Sequence, residues 1–420
     1  MIELLKSAIL FYMDFWIVLP CVITGRADVR GTVQLKRKMF PLRNLPLLAI
    51  IEIVKLMSHE ERFKLSLTSK LMTFLAKVHQ LPPADIVADI GKDSVTITVQ
   101  FGKVNPIKFE IYCISNGFKR KKEEKELWLK SQSDSYLTTT GQAIQQLQSI
   151  FLTQVFLIKT KTEFIEKGKL KEILTEKYLK TWNAFSIDGG NQTTENLNMI
   201  MDLASPMKRI EFVHSTMPEG FRHEKAFKFL DSDYSDARWV KMEDLYALKG
   251  NHNLTLGRTN FTAEEVKTFV NYWVNSDVDM FWWMDLRVNP NQNLSGILEG
   301  LVVLEHLIGA NILVEYTLAK TTSLNRQCTV LAANRAIGSV IFSAWDPEEN
   351  FPAKDGQPRE VRKIYEILKW LEAKKTLEET LKMVDNDFER NRLQLEVEKL
   401  VVQLEENEVV FLNGKATIFS

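Results

Sequence analysis

FPLRNLPLLAIIEIVKLMSHEERFKLSLTSKLMTFLAKV, residues 40–78, sets the reading of the whole chain. From Leu47 to Met57 only Glu52 and Lys55 are charged. A helix apolar nearly all round is buried on more than one face, yet a unit this small cannot surround it alone. Ser58 stands three residues before Glu61, the reciprocal spacing of a capping box, and starts a second helix. Ser69 precedes a third segment whose Leu71, Phe74, Leu75 and Val78 fall at i, i+3, i+4 and i+7. Leu81-Pro82-Pro83 stops it. Three short helices with apolar surface left over predict a docking surface for another protein.

The residues that carry this pattern resemble a known family. Phe40-Pro41-Leu42, Leu45-Pro46 with Leu48 and Ile51 behind it, and Leu65-Ser66-Leu67 with Ser69-Lys70 look like an F-box of the large nematode families. The resemblance implies that Leu42, Leu45, Pro46, Leu48 and Ile51 grip the small adaptor subunit of cullin-type ubiquitin ligases. The competing reading is an ordinary helical subdomain packed on the rest of the chain.

A chain of 420 residues holds two or three domains and a substantial core. Its 54 basic and 54 acidic residues cancel, so no global field favours nucleic acid or an anionic membrane. Cys21, Cys113 and Cys328 lie far apart, which excludes a disulfide framework and a cysteine-rich zinc site and fits a reducing compartment. Asn191, Asn253, Asn260 and Asn293 open Asn-x-Ser/Thr triplets, relevant only on secretion. Residues 1–39 form an apolar leader: Ala8 to Ile23 is apolar except for Asp14, short for a bilayer span. A packed or dispensable leader is expected in preference to stable membrane insertion.

Beyond the helices the hydrophobic period changes to two. Val95, Ile97, Val99 and Phe101, then Ile107, Phe109 and Ile111, alternate with polar residues around a loop at Gly102 to Pro106, which predicts a hairpin. The charge run Lys119 to Glu126 has no interleaved aromatic, so it reads as a solvated face and not as a nucleic-acid patch. From about Thr138 to Trp345 helical and strand patterns take turns. Gln142 to Leu152 leads to Val155-Phe156-Leu157-Ile158; Leu170, Ile173 and Leu174 lead to Ala184 to Ile187; Thr194 caps a helix before Ile210 and Phe212. Thr262 and Glu265 form a second capping box before the face Val266, Phe269, Val270 and Trp273, and the strand Met280 to Val288 follows. Helix and strand in alternation predict parallel strands with crossover helices. The fold class expected is therefore α/β: a three-helix unit, then an irregular leucine-rich-repeat-like α/β arc, then a long helical tail. A doubly wound sheet is the second candidate.

This middle region also resembles the F-box-associated domain of nematode proteins. Trp182 to Ile187, Leu245 to Leu256, Thr262 through Phe269 to Trp273, and Cys328-Thr329-Val330 on to Ile341–Trp345 carry the likeness. A glycine expected after the helix Trp is missing from Val274-Asn275-Ser276-Asp277, which leaves that turn open. The domains expected are the leader 1–39, an F-box at 40–80, the α/β domain at 90–345 and the tail at 358–420. In the tail, Val361, Ile364, Leu368 and Leu371, and later Leu393, Val397, Leu400 and Leu404, form an interrupted heptad stripe. Packing on the body and self-association both fit it. Asn413-Gly414 marks a terminal hairpin.

Motifs for chemistry are missing. The six histidines never fall at metal-ligand spacing, and Gly189-Gly190 lacks the lysine of a phosphate loop. Asp231, Asp233 and Asp236 lack the glycine and glutamate of a calcium loop and read as a solvated acidic loop. No catalytic residue, metal or cofactor is expected. The resemblances together imply a cytoplasmic or nuclear substrate receptor of an SCF-type ubiquitin ligase, with an adaptor at one end and an unidentified target protein at the other. A non-catalytic scaffold outside any ligase, and an enzyme of unrecognised geometry, are the alternatives. For the target surface, alternation along MFWWMDLRV (280–288) places Trp282, Met284, Leu286 and Val288 in the core. It places Phe281, Trp283, Asp285 and Arg287 on the recognition face.

Overall fold

The computed structural model describes residues 45–66, 70–77, 83–101, 106–112, 136–165, 167–177, 179–309, 312–321, 323, 325–348 and 361–419. The leader 1–39, Phe40 to Leu42, Ser69, Val78, Leu81-Pro82, the hairpin loop at 102–105, Cys21, Cys113 and the run at 119–126 lie outside the described residues. The chain is a mixed α/β protein that divides into two compact units, 1–186 and 187–420.

In the first unit, among the described residues, helices α1 (Leu47–Leu56), α2 (His59–Ser66) and α3 (Lys70–Lys77) come first. Ile50, Val54, Met57, Leu65, Met72 and Leu75 fill the space between them. The capping box is formed: the Ser58 amide donates to Glu61 Oε2 (2.6 Å) and the Glu61 amide to Ser58 Oγ (3.3 Å). No glycine ends α1; its last residue is followed by Met57 in an extended conformation. The buried Arg62 guanidinium donates instead to the carbonyls of Lys55 (2.7 Å) and Met57 (3.2 Å). Such a cation satisfies carbonyls that the helix cannot satisfy itself.

Strands β1 (Ala84–Ile90), β2 (Ser94–Gln100) and β3 (Ile107–Tyr112) form an antiparallel meander. Helix α4 (Tyr136–Ile150) crosses to β4 (Thr153–Lys161), which pairs parallel with β1, and α5 (Lys167–Thr175) follows. Alternation holds here, with Val95, Ile97 and Val99 all fully buried. Phe101 stacks on His59 at 4.4 Å and meets Phe151 edge-on at 5.0 Å, while Phe151 also faces Phe63 at 6.1 Å. These rings tie α2 to the ends of β2 and α4, so the three helices are packed into the unit.

Strand β5 (Ala184–Asp188) carries the boundary between the units. The second unit continues with α6 (Thr194–Leu203), β6 (Arg209–Val213), β7 (Asp231–Asp236), α7 (Met242–Tyr246), β8 (Asn251–Arg258), α8 (Ala263–Asn275) and β9 (Phe281–Arg287). The α6 cap is Thr193, one residue before the position expected from sequence; its Oγ1 accepts from the Asn196 amide at 3.2 Å. The stretch 231–236, expected as a loop, is strand β7. Its alternate residues Ser232 and Tyr234 are buried, and pairing on both sides overrides the turn preference of its aspartates. Strands β6 to β9 are parallel and adjacent in chain order.

The sheet then turns antiparallel through β13 (Ser339–Trp345), β12 (Val330–Ala336), β11 (Ile312–Leu318) and β10 (Leu304–Ile308). Helices α9 (Val361–Leu381) and α10 (Asp387–Glu406) form a hairpin. Ile364, Ile367, Leu368 and Leu371 pack with Val314, Tyr316, Val330 and Ala332 of the sheet. Of the two arrangements that fit the stripe, the structure has the first: the tail packs on the body. After α10, β14 (Val410–Leu412) turns at Asn413 (φ 51°) and Gly414 (φ 79°) into β15 (Lys415–Phe419). Two left-handed residues are what a tight hairpin of this twist requires. Strand β15 pairs parallel with β10, so the last strands belong to the sheet.

Two close approaches hold this unit. A Cβ on Gly257 would lie 2.3 Å from the Ser235 carbonyl oxygen, where β8 crowds β7. The end of α8 has no glycine either: Ser276 is extended, and the buried Arg326 Nη1 donates to the carbonyls of Trp273 (2.7 Å) and Ser276 (2.6 Å). Its guanidinium also lies 4.0 Å from the Trp273 ring centre and donates through Nε to Cys328 O (3.1 Å). Gly257→Ala is expected to lower stability by about 3 kcal/mol, the scale of overpacking against a backbone that cannot yield. Arg326→Ala is expected to lose about 3 kcal/mol by uncapping α8. Urea denaturation followed by circular dichroism checks both, and midpoints equal to wild type would refute them.

Candidate interaction faces

Parallel register places two polar rows on one face of β6 to β9. Arg209, Asp231, Asn253 and Trp283 sit side by side in the first row, and Glu211, Asp233, Thr255 and Asp285 in the second. Each second-row residue lies between core positions of its strand, such as Ile210 and Phe212, or Met284 and Leu286. Residues paired across strands point the same way, about 4.8 Å from one another. The opposite face carries Phe212, Tyr234, Leu254, Leu256 and Met284, all buried; Leu197 of α6, Leu245 of α7 and Phe269 of α8 are buried as well.

The polar rows are bounded on one side. Trp283 pairs with Ser343, and Ser343 with Ala332, which lies in the core under α9. Helix α9 therefore stands on the same face of the sheet as the polar rows, over β10 to β12. Among the charged groups, Arg209 Nε meets Glu211 Oε1 at 2.7 Å and its Nη1 lies 3.9 Å from Asp231 Oδ2. Arg287 Nη2 meets Asp285 Oδ2 at 3.3 Å, with Arg287 61% exposed. Asn253 donates to Asp231. Asp233, central in its row, has no hydrogen-bond or ion-pair partner among the described residues. Burial first, then the Glu211 charge, pushes its carboxyl up to about 6, against the partial opposition of Arg209 and Arg287.

The residues read from sequence as a recognition face are placed as follows. Trp283 is half-buried, Asp285 lies at the edge of burial and Arg287 is exposed, all on this floor. Phe281 is not: it is fully buried, 6.0 Å from Phe269 and 6.4 Å from Phe342. Strict alternation misplaces it because buried positions are three apart here in both strands, Asn251 and Leu254 in β8 and Phe281 and Met284 in β9. Trp282, expected in the core, is only half-buried and lies against His252 at 4.9 Å. Sequence reasoning did not single out Glu211 and placed Asp233 in a solvated loop. The signal was available, as a carboxylate flanked by core residues in successive strands.

The second face lies on the N-terminal helices. Leu48 is 76% exposed and Phe74 63% exposed, and Leu47, Leu56 and Leu71 are exposed as well. Of the expected adaptor-binding residues, Pro46 and Leu48 face solvent, Leu45 and Ile51 are partly buried against the bundle core, and Leu42 lies outside the described residues.

Among the described residues no group of three or more His, Cys, Asp or Glu side chains is placed to hold a metal ion, and no helix is long and apolar enough to cross a membrane. The histidine contacts His214–Asp188 (3.0 Å) and His223–Asp202 (3.2 Å) are isolated pairs. Comparison of the chain with protein-family models, curated proteins and solved structures finds no match.

Because the folded state raises the Asp233 pKa from its ordinary 3.8 to about 6, it binds this proton more tightly than the unfolded chain. The associated stability is present at pH below about 4 and is lost as pH rises through 6. Asp233→Asn is therefore expected to be more stable than wild type by about 1 kcal/mol above pH 6, after discounting for solvent screening. That gain should vanish toward pH 4. Thermal melts across this range check it; a gain independent of pH would refute the assignment.

Proposed function

We propose that the chain is a substrate-receptor subunit of an SCF-type ubiquitin ligase, docking the small adaptor through its N-terminal helices and a target protein through the α/β region. The single observation that carries this reading is the exposed apolar surface of α1 and α3. Leu47, Leu48, Leu56, Leu71 and Phe74 stay exposed although Ile50, Val54, Met72 and Leu75 already form a filled core beneath them. Exposed apolar side chains gathered on one helical unit suit a protein contact, and these lie within the residues that resemble an F-box. The parallel run β6 to β9, which never reverses its order, supports a leucine-rich-repeat-like arc over a doubly wound sheet. In this reading the chain performs no chemistry. It holds the target near the ligase's catalytic subunits, so the rate gain comes from proximity, and the protein works in the cytoplasm or nucleus.

The same two faces would serve a scaffold that never joins a ligase, and the adaptor separates the two. Leu48→Glu places a charge at an exposed site, so it is expected to leave the melting temperature within about 2 °C of wild type. It is expected to weaken adaptor capture by about 2 kcal/mol or more, the scale of an interface anchor. Co-purification of the full chain with the adaptor, followed by calorimetric titration, checks this. Absence of adaptor binding by the wild-type chain would overturn the ligase reading.

A further inference from the structure

We infer that α10 pairs side by side, in parallel, with the same helix of a second copy of this chain. The pairing does not depend on the ligase reading. The inner face of α10 is already used: Leu393, Val397 and Leu404 are buried. At 3.6 residues per turn, Leu395 stands about half a turn round the helix from all three. Phe388 and Val402 lie seven residues to either side of it, so the three form one outer stripe with the period of a helix-pairing seam. Phe388 is 81% exposed, Leu395 58% and Val402 52%, so the chain itself leaves the stripe uncovered. Exposed apolar side chains aligned along one helix suit a contact with a second helix.

The charges beside the stripe select the occupant and its direction. One flank, three residues on from each apolar position, carries Asn391, Glu398 and Glu405; the other, four residues on, carries Arg392, Lys399 and Glu406, and all six are exposed. Two parallel helices bring unlike flanks together. Glu398 then stands opposite the second copy's Lys399, and Asn391 opposite its Arg392, each twice across the two-fold axis. An antiparallel pair brings like flanks together and sets Arg392 against the second copy's Lys399. The last turn alone opposes the parallel pair, where Glu405 approaches the second copy's Glu406. Arg392 is already held by Glu389 of its own helix at 3.2 Å, which leaves Lys399 as the main cation of the contact. Three apolar layers bury less than a standard stable interface, roughly 800 Å² per partner, so the pair is reversible.

Sedimentation velocity of the full chain between about 1 and 100 µM tests it, the range in which a contact of this size exchanges between free and paired copies. Wild type is expected to pass from monomer to dimer across that range. Leu395→Glu, at an exposed site, is expected to leave the circular-dichroism melt unchanged and to weaken the dimer about tenfold or more. Lys399→Glu sets glutamate against glutamate in the parallel pair and is expected to weaken it about threefold. In an antiparallel pair the same change would face Arg392 and tighten the dimer, so tightening overturns the parallel assignment. Leu48→Glu, on the N-terminal helices, is expected to leave the dimer intact. A chain that stays monomeric at about 100 µM, a dimer indifferent to Leu395→Glu, or one lost in Leu48→Glu would overturn the inference.

Discussion

The second unit depends on one buried cation. Helix α8 ends without the left-handed glycine that commonly turns a chain out of a helix, so its last carbonyls need an external donor. Arg326 supplies it from a segment 50 residues further on, joining Trp273 and Ser276 to Cys328, just ahead of β12. Burial pulls the guanidinium pKa down to about 10, which still leaves it fully charged at neutral pH. Asp277 and Asp279 favour that charge, and Asp279 also accepts the amides of Gln327 and Cys328. The contact thus clamps the crossover helix, the start of β9 and the approach to β12 together. Arg62 ends α1 in the first unit by the same chemistry.

That clamp positions β9, and through it the two polar rows. In the helix-facing half of the sheet the positions are filled to near-zero exposure by Phe212, Tyr234, Leu256 and Met284. The other half holds Asp233, whose burial raises the free energy of its ionised form. The apolar residues of α1 and α3 present the complementary situation, since their exposure costs solvation that a docked protein would recover.

The sequence by itself determined the elements. Capping boxes at Ser58–Glu61 and Thr262–Glu265, the period-two runs of β2 and β3, the helical tail and the Asn413-Gly414 hairpin all follow from interactions between residues a few positions apart, and such interactions are legible in order along a chain. What only the tertiary structure decided depends on pairing across long separations. Residues 231–236 have the composition of a loop and become a strand because β6 and β8 supply hydrogen bonds on both sides. The tail's heptad stripe turns inward because β10 to β12 offer it an apolar face, and Phe281 goes to the core because β8 and β9 share one break in alternation. The acidic row itself draws on residues up to 74 positions apart, Glu211 and Asp285, that only strand register brings side by side.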